Sequence, residues 1–160
     1  MFDRDFWEVA SYVVTALGLP LAIFIFLYDQ RKERAIDEAE VYQLLNNSYN
    51  EFLKVVLDNP DLHLATRQST PDLSSEQQER MLVIFDMLMS LFEQAYLIAW
   101  QPSMAEAQRR RWAVWEDFMR DWIRRDDFFA HVDSLLLGED PDFAVYFRRL
   151  VASERGGTPP

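Results

Sequence analysis

Cysteine is missing from all 160 residues, which excludes disulfides, thiolate metal sites and cysteine nucleophiles together. Glycine is nearly as scarce. Its four positions, Gly18, Gly138, Gly156 and Gly157, leave no glycine-rich loop that could cradle a nucleotide phosphate, so P-loop and Rossmann motifs are ruled out. The two histidines, His63 and His131, have no HExxH-like partner and no flanking ligand cluster, so no metal or other cofactor is expected. Basic charge is also in short supply, 16 Lys and Arg against 27 Asp and Glu, a net charge of −11. Without residues 1–28, which hold one basic and three acidic side chains, the balance is still 15 against 24. Nucleic acid is therefore not an expected partner, because phosphate binding needs a basic footprint to displace counterions. Strand-like alternation of useful length and fixed-period repeats are absent too, and the fold class that remains is all-α.

What the chain does have is apolar and ring surface. Hydrophobic residues make up 49% and aromatics 14%, enough to offset the entropy of ordering a folded domain. The longest concentration is VASYVVTALGLPLAIFIFLY, residues 9–28, twenty positions without a charge. At a rise of about 1.5 Å per residue this matches a hydrocarbon core of about 30 Å. Eleven of the twenty are Val, Leu, Ile or Phe, and Phe6, Trp7 and Tyr28 stand where interfacial aromatics belong. The acidic start, with Asp3, Asp5 and Glu8 against Arg4, is unlike a cleaved signal peptide. Arg31, Lys32 and Arg34 follow the run directly, which by the positive-inside rule puts the C-terminal side in the cytoplasm and the N-terminus outside, in the inner membrane.

Within that run Pro20 lacks an N–H and, with Gly18, is a candidate hinge, although membrane helices commonly tolerate such a proline. Ser11 with Thr15, and Gly18 with Ala22, have the small-xxx-small spacing that lets two spans approach. Residues 29–40 are polar nearly all round and read as a juxtamembrane stalk. Residues 41–155 read as a cytoplasmic helical domain, and 156–160 as a disordered tail.

Helical spacing divides that domain. Val41, Leu45, Tyr49, Phe52 and Val56 form one apolar face, ended by Asn59 and Pro60. After a loop, Ser75 and Gln78 have capping-box spacing for a helix reaching about Trp100, with a wide apolar arc from Met81 to Ala99. Ser103 and Glu106 offer a second box for a helix over roughly 104–125, with the stripe Trp112, Trp115, Phe118, Met119 and Trp122. A short fourth helix starts at Asp126 and Asp127 and stops at Gly138. Asp140 as N-cap and Pro141 as first residue open a fifth, packed through Phe143, Phe147, Leu150 and Val151.

The order of a charge-poor span, LYDQRKER, a long polar helix and a helix carrying Trp112, Trp115 and Phe118 resembles a group of uncharacterised single-span bacterial membrane proteins. Their cytoplasmic parts are helical and rich in Trp and Phe. The resemblance implies architecture, and brings no functional residues with it.

Candidate chemistry is sparse. His131, Asp133 and Ser134 are too close along one helix to form a relay, and Asp140 reads as a helix cap within the acidic loop Glu139 to Asp142. Asp86 and Glu93, seven residues apart, share a helical side that reads as solvated; if covered, Glu93 needs a partner such as an arginine. The clusters Arg109 to Arg111, Arg124-Arg125 and Arg148-Arg149 read as solvated faces. Trp112, Trp115 and Trp122, with Glu93, are the candidate pocket or interaction residues, the tryptophans reading first as core. The functional expectation is a non-enzymatic, membrane-anchored interaction or regulatory module with a protein partner. Two alternatives stand beside it: a membrane sensor or effector that self-associates through its span, and a carboxylate-dependent enzyme.

Overall fold

The computed structural model describes residues 40–66 and 68–156, and every regular element among them is helical. From Gln43 onward they belong to one compact unit, Gln43–Pro160. The expected span with Ser11, Thr15, Gly18, Pro20 and Ala22 lies outside the described residues, as do Arg31, Lys32 and Arg34, all of the stalk before Glu40, and the tail beyond Gly156.

The first helix, α1, covers residues 40–58. Leu45, Phe52 and Val56 are buried and Tyr49 half-buried, as the spacing predicts. Asn59 Nδ2 closes its last turn on the Val55 carbonyl at 2.8 Å, and Pro60 starts the 3-10 turn Pro60–Leu62. The segment beyond, expected to be a simple loop, sends Leu62 and Leu64 into the core.

Helix α2, Ser75–Ala99, starts from a capping box one residue earlier than expected. Ser74 Oγ accepts from Gln77 N at 3.2 Å and Gln77 Oε1 accepts from Ser74 N at 3.0 Å. The run Ser74-Ser75-Glu76-Gln77-Gln78 offers the motif in two registers, and Ser74 is the serine with extended backbone, φ −63° and ψ 163°. Gln78 reaches back to the Leu73 carbonyl instead. Urea unfolding should therefore show Ser74→Ala losing about 1 kcal/mol, and Ser75→Ala less than about 0.5 kcal/mol. The opposite order would restore the register read from sequence.

Met81, Ile84, Phe85, Leu88, Leu91, Phe92 and Ala95 are buried on α2 together with Met89 and Tyr96, while Ala99 is half-buried. This arc packs against three later helices. By length and composition α2 is also apolar enough to cross a membrane, with a mean hydropathy of 1.6 over its richest stretch, half of which is buried within the protein.

Helix α3 is Glu106–Ile123, shorter at both ends than expected. Ser103 does not cap it. Ala105 takes the N-cap position, and only half a box exists: Gln108 Oε1 accepts from Ala105 N at 3.0 Å, alanine having no acceptor to return. The expected fourth helix is two single turns, α4 at Asp126–Phe129 and α5 at Val132–Leu135. His131 breaks them at φ −108° and ψ −1°. Phe128, Val132, Leu135 and Leu136 all face the core, at the i, i+4, i+7, i+8 spacing of one helical face. Gly138 follows with φ 96°, the left-handed conformation that glycine adopts without strain.

Helix α6, Pro141–Arg155, matches its expected start. Asp140 Oδ1 accepts from the amides of Asp142 and Phe143 at 2.9 and 3.0 Å, and Pro141 is the first helical residue. Phe143, Phe147, Leu150 and Val151 are buried, and α6 packs chiefly on α3.

Candidate functional site

Two regions bring polar groups against this aromatic core. The first centres on Arg125, which composition groups with Arg124 on a solvated face. That expectation is corrected: Arg125 is only 2% exposed, because the extended backbone at the α3–α4 junction (φ −74°, ψ 124°) turns its side chain inward. Its Nε and one terminal nitrogen donate to the two oxygens of Asp127 at 3.0 and 2.6 Å. The other terminal nitrogen donates to the carbonyls of His63 (3.2 Å), Leu64 (3.4 Å) and Thr66. Asp127 also accepts from the amides of Thr70 and Phe128. One buried ion pair thus ties the segment after α1 to the start of α4. An Arg-x-Asp spacing was the only sequence signal for it.

Beside this pair lies a cavity of about 260 Å³, walled by Tyr49, Leu53, Phe118 and Trp122, with Asp121 and Arg125 at its polar end. Tyr49 stacks on Phe118 with centroids 4.5 Å apart, and burial raises the Tyr49 hydroxyl above its usual pKa. The charges are already engaged, Asp121 by Arg124 at 2.7 Å and Arg125 by Asp127. A second cavity, of about 520 Å³, lies between the loop residues Thr70, Asp72 and Leu73 and the α2 residues Met81 and Leu82.

Of the candidate tryptophans only Trp122 reaches the first cavity. Trp115 is buried edge-on to Tyr49 and Phe118. Trp112 is buried with its Nε1 donating to the Tyr146 hydroxyl at 2.8 Å. Burial holds that hydroxyl protonated far above the ordinary tyrosine range.

The second region is one edge of α2. Glu93 is half-buried there, as a covered carboxylate that needs a partner. The partner is not an arginine. Glu93 Oε1 accepts from the amide of Asp140, the residue after Glu139. Ser90 Oγ donates to Glu139 Oε1 at 3.4 Å. Burial first, then the hydrogen bond and charge of Glu93, and more weakly the charge of Asp86, push the Glu139 carboxyl up to about 7. Of the side expected to be solvated, Asp86 is exposed but Glu93 is half-buried against the turn that holds Glu139, whose place after Gly138 carries no helical periodicity to reveal it. Neither cavity has Glu93 or Glu139 in its wall. Among the described residues no group of three or more His, Cys, Asp or Glu is placed to hold a metal.

His131, Asp133 and Ser134 form no relay: His131 Nδ1 lies 2.7 Å from the Asp127 carbonyl, Asp133 pairs with Arg148, and Ser134 Oγ donates to the His131 carbonyl.

On the outside of α2, Val83 and Leu97 are 57% exposed, Met87 47% and Ile98 40%. At 100° per residue these four fall within an arc of about 100°. Glu79, Asp86, Ser90 and Gln94 share that side, all exposed. No family model, curated protein or solved structure matches the chain.

Proposed function

We propose that the chain is a membrane-anchored helical interaction module whose docking face is the outer side of α2. The observation that carries this reading is the uncovered row Val83, Met87, Leu97 and Ile98 on a helix that is apolar on its inner side as well. Several large apolar side chains on one open face mark a contact surface, whereas single exposed ones do not.

The surroundings of the row select the occupant. Glu79 and Asp86 stand beside it, and the whole chain carries a net charge of −11. A basic amphipathic helix of a protein partner would match both the apolar row and the acidic margin. An anionic lipid leaflet would be repelled by the same charges. The anchor rests on sequence: residues 9–28 as the span, Arg31, Lys32 and Arg34 holding the domain on the cytoplasmic side of the inner membrane, and residues 29–40 setting its distance.

A titration of the full-length protein in detergent with a synthetic Leu/Lys amphipathic helix, followed by fluorescence anisotropy, tests the docking face. Saturable binding that weakens with added salt is expected. The double substitution Val83→Glu with Met87→Glu should weaken it about tenfold or more, about 1.4 kcal/mol, without moving the unfolding midpoint. Equal binding by the double variant would remove the reading.

A further inference from the structure

We infer that the cavity between α1 and α3 is a binding site for a small, neutral, planar aromatic molecule of two fused rings that carries an N–H or O–H donor. Its volume, about 260 Å³, sets the size. A cavity of about 150 Å³ takes one benzene ring, and pockets for drug-sized ligands start at about 300 Å³, so this one suits a bicyclic and excludes a nucleotide.

The walls set the shape. Val56, Leu64 and Trp122 are the buried inner side, while Tyr49 and Phe118 are half-buried and stacked on each other, 11° from parallel. Leu53 and Thr66 are exposed, so the cavity opens to solvent between them. Neighbouring rings hold the walls in place: Phe52 and Phe85 meet Trp122 edge-on at centroid distances of 5.8 and 6.1 Å, and Trp115 meets Tyr49 in the same way at 5.9 Å. The site is thus formed before any ligand enters. Aromatic walls favour a flat ring, which can lie offset-stacked or edge-on against them.

The polar end sets the charge. Buried Arg125 directs its donors to Asp127 and to the carbonyls of His63, Leu64 and Thr66, and half-buried Asp121 accepts from Arg124 at 2.7 Å. Each charge there already has its counter-charge. An ionised ligand would carry an unmatched charge against an apolar wall, and an anion would also face the Asp121 carboxylate and a chain of net charge −11. What remains for recognition is acceptor capacity, because a carboxylate has about four lone-pair sites whereas a guanidinium has donors only. The ligand therefore brings the donor, and Asp121 receives it.

The test needs no protein partner and stands apart from the docking proposal. Full-length protein in detergent is titrated with ring-fluorinated indole, and the fluorine NMR line is followed. Saturable broadening is expected. The N-methyl derivative, which has no N–H, should bind about fivefold more weakly for the lost hydrogen bond. The corresponding indole acetate, an anion at neutral pH that keeps its N–H, should bind about tenfold more weakly or worse. This ligand series decides the matter without any substitution. Leu53→Trp adds the protein-side check: it fills the cavity from a position 38% exposed, so it should abolish saturable broadening and leave the unfolding midpoint in place. Val83→Glu with Met87→Glu, on the far helix, should bind the indole unchanged. An anion bound as tightly as the neutral ring would overturn the site, and so would broadening that persists in Leu53→Trp, which would place the indole in the micelle.

Discussion

Arg125→Ala is expected to lose roughly 3–5 kcal/mol of stability in urea unfolding, the range for breaking a buried ion pair from one side. The substitution leaves Asp127, whose side chain is only 10% exposed, without its cation, and takes a donor from the carbonyls of Leu64 and Thr66, while the His63 carbonyl keeps Thr66. The loss comes mainly from the groups left behind, which gives the result a distinctive form. Replacing both partners, Arg125→Met with Asp127→Leu, should cost less than the sum of the two single changes, because neither then leaves an uncompensated charge. Additive losses would show that the pair is not coupled. Arg124, one position earlier and exposed, pairs with Asp121 and Glu154 on the surface, and its replacement by Ala should cost no more than about 1 kcal/mol.

Trp115→Ala should cost a further roughly 3–5 kcal/mol, the range for truncating a large buried aromatic. Its ring fills the space against Tyr49 and Phe118, so truncation removes contacts from α1 as well as from its own helix. Trp112→Phe is the contrast. It keeps most of the ring volume and loses the hydrogen bond to the Tyr146 hydroxyl, for about 1 kcal/mol. Comparable losses from the two would mean that the stripe is not graded by packing in this way.

The parts of the fold that were legible in sequence are those written as periodicity. Leu45, Phe52 and Val56 on α1, the arc from Met81 to Ala95 on α2, and Phe143, Phe147, Leu150 and Val151 on α6 recur at helical spacing and are buried together. Asp140-Pro141 announces α6 because a capping carboxylate and a residue without an N–H suit only a helix start. Cap register was less legible, since Ser74 and Ser75 are chemically equivalent and the backbone path chooses between them. Arg125 and Glu139 are hidden from periodicity for a different reason. Both lie at or near a break between helices, where no repeat indicates which way a side chain points, and each meets a partner brought there by tertiary folding. Arg125 contacts carbonyls more than fifty residues back in the chain, and Glu139 meets a helix that ended forty residues before it. The candidate tryptophans were visible by spacing, but only the packing separates Trp122, at a cavity wall, from Trp112 and Trp115.

The apolar character of α2 has a consequence for biogenesis. It is made before α3, α5 and α6, the elements that bury its inner arc, so a newly synthesised chain presents a span-like stretch with no protein yet to cover it. Asp86 and Glu93 interrupt that stretch, and an acidic residue near the middle of a would-be span opposes insertion by about 2.5–3.5 kcal/mol. The same carboxylates that line the outer edge of the finished helix thus bias the nascent segment toward water until its neighbours arrive.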